Sequence, residues 1–139
     1  MNVVVSANAG TTADHELLAL NQRLLESILA ADWQTYEELC DPSLSAFEPE
    51  GVGQQIVGMP FHRYYFDLGA AKDPRQVTMA SPRVRWLGAD AAVISYVRLV
   101  QKLADGAPVT VTTEETRVWQ RRDGKWRHVH FHRSLPTSK

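Results

Sequence analysis

Apolar residues return at helical spacing from residue 17. Leu17, Leu20, Leu24, Leu25 and Ile28 line one side, while Glu16, Gln22, Arg23 and Glu26 fall mostly opposite. This predicts an amphipathic helix of about five turns. A second, shorter helix in "AADWQTYEELCDP" opens at Asp32 as N-cap, buries Trp33, Tyr36 and Leu39, carries Cys40 in its last turn, and stops at Asp41-Pro42. "SLSAFEPEGVGQQIVG" reads as two short strands around a Gly/Pro-punctuated turn. "MPFHRYYFDLG" reads as a third helix, with Pro60 in its first turn and His62 inside it.

From Gln76 the period changes to two. "VTMASPRVRWLG", "AAVISYVRLVQKLA", "VTVTTEETRVWQRR" and "KWRHVHFHR" are strands separated by Gly-Ala-Asp, Asp-Gly-Ala-Pro and Asp-Gly turns. Helices first and a long meander after them predict an α+β fold. Residues 1–12, small and polar, read as a flexible lead-in to a single domain over 13–139.

The strand from Ala91 to Leu103 is apolar on both faces: Ile94, Tyr96, Arg98 and Val100 on one, Val93, Val97, Leu99 and Leu103 on the other. An antiparallel strand ordinarily has one wet face. The three helices are all needed for one side of the sheet, so a second copy of the chain is the expected cover for the other.

Three arginines sit in apolar company. Arg98 shares a face with Ile94, Tyr96 and Val100; Arg117 with Val111, Glu115 and Trp119; Arg133 with Val129 and Phe131. Whether Arg117 and Arg133 agree depends on the last turn. A two-residue loop, Asp123-Gly124, would pair Arg117 with His130 and put Arg133 on the other side. A three-residue loop, Arg122-Asp123-Gly124, pairs Arg117 with Val129 and aligns the two arginines. The continuous apolar stripe favours the longer loop.

Buried guanidinium groups need partners, and this face offers chiefly Glu115. The expected deficit of negative charge predicts a cleft that takes up a small carboxylate or other oxyanion, because guanidinium binds carboxylates in a fork. The alternative is that the arginines snorkel to the rim or pair with Glu48 and Glu50.

Composition narrows the remaining classes. The chain has 139 residues, with 15 Lys and Arg against 16 Asp and Glu, so no broad positive field exists to hold nucleic acid or an anionic membrane. One cysteine, Cys40, excludes an internal disulfide and reads as a buried thiol. The first ten residues lack the basic and apolar regions of a signal peptide, and a cytoplasmic location is expected. His128, His130 and His132 alternate along one strand, but no further ligand converges on them, so neither a metal nor a cofactor is expected.

At these residues the chain resembles the association (hub) domain of calcium/calmodulin-dependent protein kinase II, within the NTF2-like or SnoaL-like superfamily. The stretches "YEELCDPSLSAFEPE", "GMPFHRYYF", "ISYVRLVQ" and "EETRVWQRRDGKWRHVHFHRS" carry the likeness across about residues 14–134. The resemblance implies an NTF2-like (cystatin-like) cone: a curved, antiparallel mixed sheet wrapped around a long N-terminal helix, assembling into dimers or rings of dimers. It also implies a pocket for small carboxylates at His62, Arg98, Arg117 and Arg133, with Glu115, Tyr65 and Trp119 completing the expected set. The loop "DLGAAKDPR" lacks the tryptophan expected there in the kinase hub. With about a dozen residues before the first helix, neither phosphorylation nor calmodulin binding is expected of this chain.

The same superfamily hosts isomerases, dehydratases and cyclases, so fold alone does not decide between a binding module and an enzyme. Glu115 beside Arg117 is expected to stay ionised and to be a weak base. His62, held neutral by nearby positive charge, is the candidate base for a cofactor-independent lyase or isomerase. A scaffold that binds a protein partner while the pocket stands idle is a third reading.

Overall fold

The computed structural model describes residues 10–136. Residues 1–9 of the expected lead-in, and 137–139, lie outside them. Thr11 is already an N-cap: its side chain accepts from the Asp14 backbone N–H at 3.0 Å, and Asp14 bonds back in a capping box. Helix α1 (Thr12–Leu29) follows, then α2 (Trp33–Leu39), capped at Asp32 as its sequence requires. Strand β1 (Cys40–Phe47), a 3-10 turn (Pro49–Gly51), strand β2 (Ile56–Val57) and helix α3 (Pro60–Asp67) precede the meander β3 (Arg75–Trp86), β4 (Ala91–Ala104), β5 (Ala107–Arg122) and β6 (Lys125–Ser134).

The six strands form one curved sheet in the order β2-β1-β6-β5-β4-β3. Every pairing is antiparallel except β1 with β6, which is parallel and makes the sheet mixed. Residues of all three helices meet the inner face. Asn21 of α1 donates to Tyr96 on β4, and His62 of α3 packs between Tyr36 of α2 and Phe131 of β6. The core joins Leu17, Leu24 and Leu25 of α1 to Met79, Ile94, Trp119 and Phe131 of the sheet. The apolar stripe of α1 is interrupted by Asn21 and Gln22, both fully buried. Gln22, expected on the wet side, instead donates to the Val77 carbonyl at 3.0 Å.

The final hairpin corrects one expectation and keeps its consequence. Arg122 pairs with Lys125 across a two-residue Asp123-Gly124 loop, and both loop residues have positive φ, 52° and 76°, as a type I′ turn demands. Left alone, that turn would pair Arg117 with His130. A bulge at Val129 intervenes: Val118 faces His130 but Trp119 faces His128, so Arg117 pairs with Phe131 and Glu115 with Arg133. All four therefore share the inner face. The same bulge turns His128 inward, where it is fully buried, and leaves His130 and His132 outside. The three histidines do not share a face, and among the described residues no three metal-ligating side chains converge.

The outer face of β4 carries Val93, Val97 and Leu99, all partly exposed. On the neighbouring strands the same face continues through Thr116, His130, His132 and Phe47. Among the described residues no helix is long and apolar enough to cross a membrane.

Candidate functional site

Alternation on three adjacent strands sets the site. Arg98 on β4, Glu115 and Arg117 on β5, and Phe131 and Arg133 on β6 all point inward at neighbouring register positions. With His62 from α3 they line a cavity of about 220 Å³, closed on its other side by Tyr36, Tyr65 and Phe66. Arg98 also borders a wider, more open groove of about 460 Å³ running past Lys102 and Arg75.

Arg117 forms the floor. It is 1 % exposed, lies 4.4 Å over the Phe131 ring, and donates from Nε to the Tyr96 hydroxyl at 3.0 Å and to Glu115 Oε1 at 3.1 Å. Tyr96 in turn donates to Glu115 Oε1 at 2.5 Å and accepts from Asn21, which takes a bond from Trp119 Nε1 on its other end. On the opposite flank, Arg117 Nη1 stands 3.4 Å from His128 Nε2, whose Nδ1 lies 3.4 Å from Cys40 Sγ. A guanidinium can only donate, so Nε2 accepts and the His128 proton sits on Nδ1.

Carboxylates match the three arginines one for one. Glu115 Oε1 is 3.1 Å from Arg117 Nη2, and Oε2 is 3.4 Å from Arg98 Nε. Arg133 Nη2 reaches Glu48 at 3.2 Å and Glu50 at 2.5 Å. The expected surplus of positive charge is thus absent: Glu48 and Glu50, brought in by β1 and the 3-10 turn, make up the deficit. Two buried donor-capable atoms of the cluster nevertheless lack a hydrogen bond, Arg98 Nε and His62 Nε2. Ion pairing leaves Arg98 Nε close to Glu115 without bonding geometry.

Burial and charge compete at each titrating group. At Glu115 burial raises the carboxyl's pKa, but Arg117 and Arg98 outweigh it and hold the group below its ordinary value. Glu48 goes the other way, because burial there outweighs Arg133. Glu50 is less enclosed, and its bonds to Arg133 overcome burial and keep it low. Burial, then Arg117, brings His62 from 6.5 down to about 4, so the imidazole is neutral at physiological pH. Arg117 itself is held charged by Glu115 against the cost of burial.

Of the expected site residues, His62, Arg98, Arg117, Arg133, Glu115 and Tyr65 are brought together, although Glu115 lies beneath the arginines rather than on the cavity wall. Trp119 is not among them. It is fully buried two residues further along β5 and serves the core through Asn21. Tyr36 and Phe66 are walls that the sequence reading does not include, and His128 is buried rather than sharing a face with His130 and His132. Their signal is tertiary, since each depends on a helix docking or a bulge that local periodicity does not encode.

The sequence profile described as the calcium/calmodulin-dependent protein kinase II association domain matches residues 13–137. The chain belongs to this family. It is 47 % identical over 122 residues to the calcium/calmodulin-dependent protein kinase type II subunit delta of Oryctolagus cuniculus, covering 86 % of this chain and 23 % of that protein. The hub homology domain of Chlamydomonas reinhardtii superposes with a TM-score of 0.86 at 52 % identity, over 91 % of this chain and 100 % of that one. The association domain of the Caenorhabditis elegans kinase follows at 0.84 and 42 %, over 88 % and 95 %. An NTF2-like protein of Cytophaga hutchinsonii, at 19 % identity and a TM-score of 0.72, shares the fold. So does a ketosteroid-isomerase-like protein of Shewanella frigidimarina, at 16 % and 0.66. The resemblance drawn from the four sequence stretches therefore holds, and with it the NTF2-like fold. Membership in an association-domain family supports oligomerisation of this chain.

Proposed function

We propose that this hub domain assembles as a dimer, or a ring of dimers, through the outer sheet face, and that its inner cavity takes up a small carboxylate. The observation that carries the ligand reading is the convergence of Arg98, Arg117, Arg133 and His62 on one cavity in which Arg98 Nε and His62 Nε2 have no hydrogen bond. Buried polar atoms without hydrogen bonds are costly, and a carboxylate's two oxygens suit Arg98 Nε and the Nε2–H tautomer of the neutral His62. The apolar outer face of β4 supports the assembly reading.

Binding is favoured over proton abstraction. A general base works best with a pKa near the operating pH, and burial takes His62 to about 4. Glu115 is held down by two arginines, the wrong direction for a base. Light scattering on the purified chain together with calorimetric titration of acetate, butyrate and hexanoate tests both halves. A species heavier than one chain and saturable uptake of one acid are expected. A monomer indifferent to all three acids overturns the proposal.

A further inference from the structure

We infer that Glu50 is a resident carboxylate, holding Arg133 in the empty cavity and yielding it when a ligand's carboxylate arrives. The inference rests on the carboxylate reading above and adds how the site opens and what it selects: singly charged acids whose head group can replace the Glu50 side chain.

The contact with Arg133 is close but poorly shared. Both Glu50 oxygens, at 2.5 and 2.6 Å, and the nearer Glu48 oxygen, at 3.2 Å, all fall on the same nitrogen, Nη2. A guanidinium is best matched by two parallel bonds on two nitrogens, which this crowding forgoes. The two acids also differ in enclosure: the Glu48 side chain is 10 % exposed and stands 3.6 Å from His62, whereas Glu50 is 37 % exposed. Glu50 can therefore leave into water, where its charge is well solvated, and Glu48 cannot.

The backbone beneath Glu50 is suited to such movement. It belongs to a single 3-10 turn, Pro49–Gly51, with no side-chain cap. Val52 follows in the left-handed region at φ 51° and is 84 % exposed, then Gly53 at φ 81°. Little apolar burial holds this turn, the condition for low-energy local opening. In its resident position Glu50 leaves Arg98 Nε and His62 Nε2 without hydrogen bonds. A free acid is not tethered to the turn and can sit deeper, reaching Arg133 together with one of those groups. Exchange of one carboxylate for another preserves the charge balance of the cluster.

The test is Glu50→Gln, which keeps the shape and removes the charge. Butyrate is titrated calorimetrically into wild type and variant, with butylammonium as control. With the resident competitor neutralised, butyrate binds the variant about tenfold more tightly, as expected when a competing state is removed. In parallel, adding butyrate to the wild type raises amide exchange across residues 49–53. Equal butyrate affinity in the two proteins, with unchanged exchange, overturns the resident role of Glu50 and leaves the cavity reading intact. Butyrate binding to neither protein overturns both, and equal uptake of butylammonium does the same.

Discussion

Arg133 stands directly across the β5–β6 pair from Glu115, yet its guanidinium turns away to Glu48 and Glu50. Glu115 is thereby left to Arg117 and Arg98. The cluster thus splits into a buried half and a rim half, and the halves differ in what they contribute to stability. Glu115→Gln strands two enclosed guanidinium groups and is expected to cost about 3–5 kcal/mol. Glu50→Gln at the rim is expected to cost less than about 1 kcal/mol. Urea denaturation of both variants checks the contrast, and equal losses would contradict the division.

His62 gives stability a defined dependence on pH. Its pKa is 6.5 when unfolded and about 4 in the fold, so between those values the unfolded chain binds a proton that the folded chain does not. Stability therefore falls as pH is lowered from 6.5 through 4, by about 3 kcal/mol for this group alone. His128, which burial lowers well below its ordinary value, acts in the same direction. Glu48, raised by burial, acts oppositely because its protonation relieves a buried charge. His62→Asn removes one contribution, so its midpoint in urea should vary less with pH over this window than that of the wild type.

The legible and illegible parts of the chain divide along physical lines. Asp32 as a cap, Pro60 in a first turn, and the switch from period 3.6 to period 2 at residue 76 are local rules, and each element appears where they place it. The inward set Arg98, Glu115 and Arg117 follows from alternation on two strands joined without a register shift. What periodicity could not supply was the bulge at Val129, because one extra residue reverses every later side chain without changing composition. Turn length is hidden for the same reason: a two-residue loop with a bulge at Val129 and a three-residue loop with Gly124 as its bulge residue give Arg117 and Arg133 the same face. Glu48 and Glu50 were legible as alternative partners, but the 3-10 turn that delivers them was not.

The β5–β6 turn carries its own prediction. Gly124 adopts φ 76° beside Asp123 at 52°, a conformation that side chains other than those of Asn and Asp disfavour. Gly124→Ala is expected to lower stability by about 1 kcal/mol. Nothing lies within 4 Å of a Cβ added there, so the loss reflects backbone conformation rather than a clash. Gly124→Asn, which tolerates the left-handed region, should recover most of it, as thermal melts of the pair would show.

Cys40 is expected to be chemically quiet. It is 2 % exposed beside His128, and burial pushes its thiol up to about 12, so almost no thiolate exists at neutral pH. A disulfide reagent such as 5,5′-dithiobis(2-nitrobenzoate) should label the native protein only on the timescale of unfolding and label the urea-denatured chain at once. Rapid labelling of native protein would show that the strand carrying Cys40 opens locally.

The outer face is where assembly can be separated from folding. Val97 lies there, opposite Glu114 on β5 and partly exposed, while Arg98 beside it points to the cavity. Val97→Asp places a second negative charge next to Glu114 on a face that in one chain is open to water, where it costs little. Pressed against another copy, the same pair would be desolvated and repulsive. The variant should therefore keep the wild-type circular dichroism spectrum and butyrate affinity while light scattering reports a single 15.6 kDa chain. Retention of the wild-type assembly would move the contact surface elsewhere on the fold, and loss of the spectrum would mean that Val97 serves the core rather than the interface.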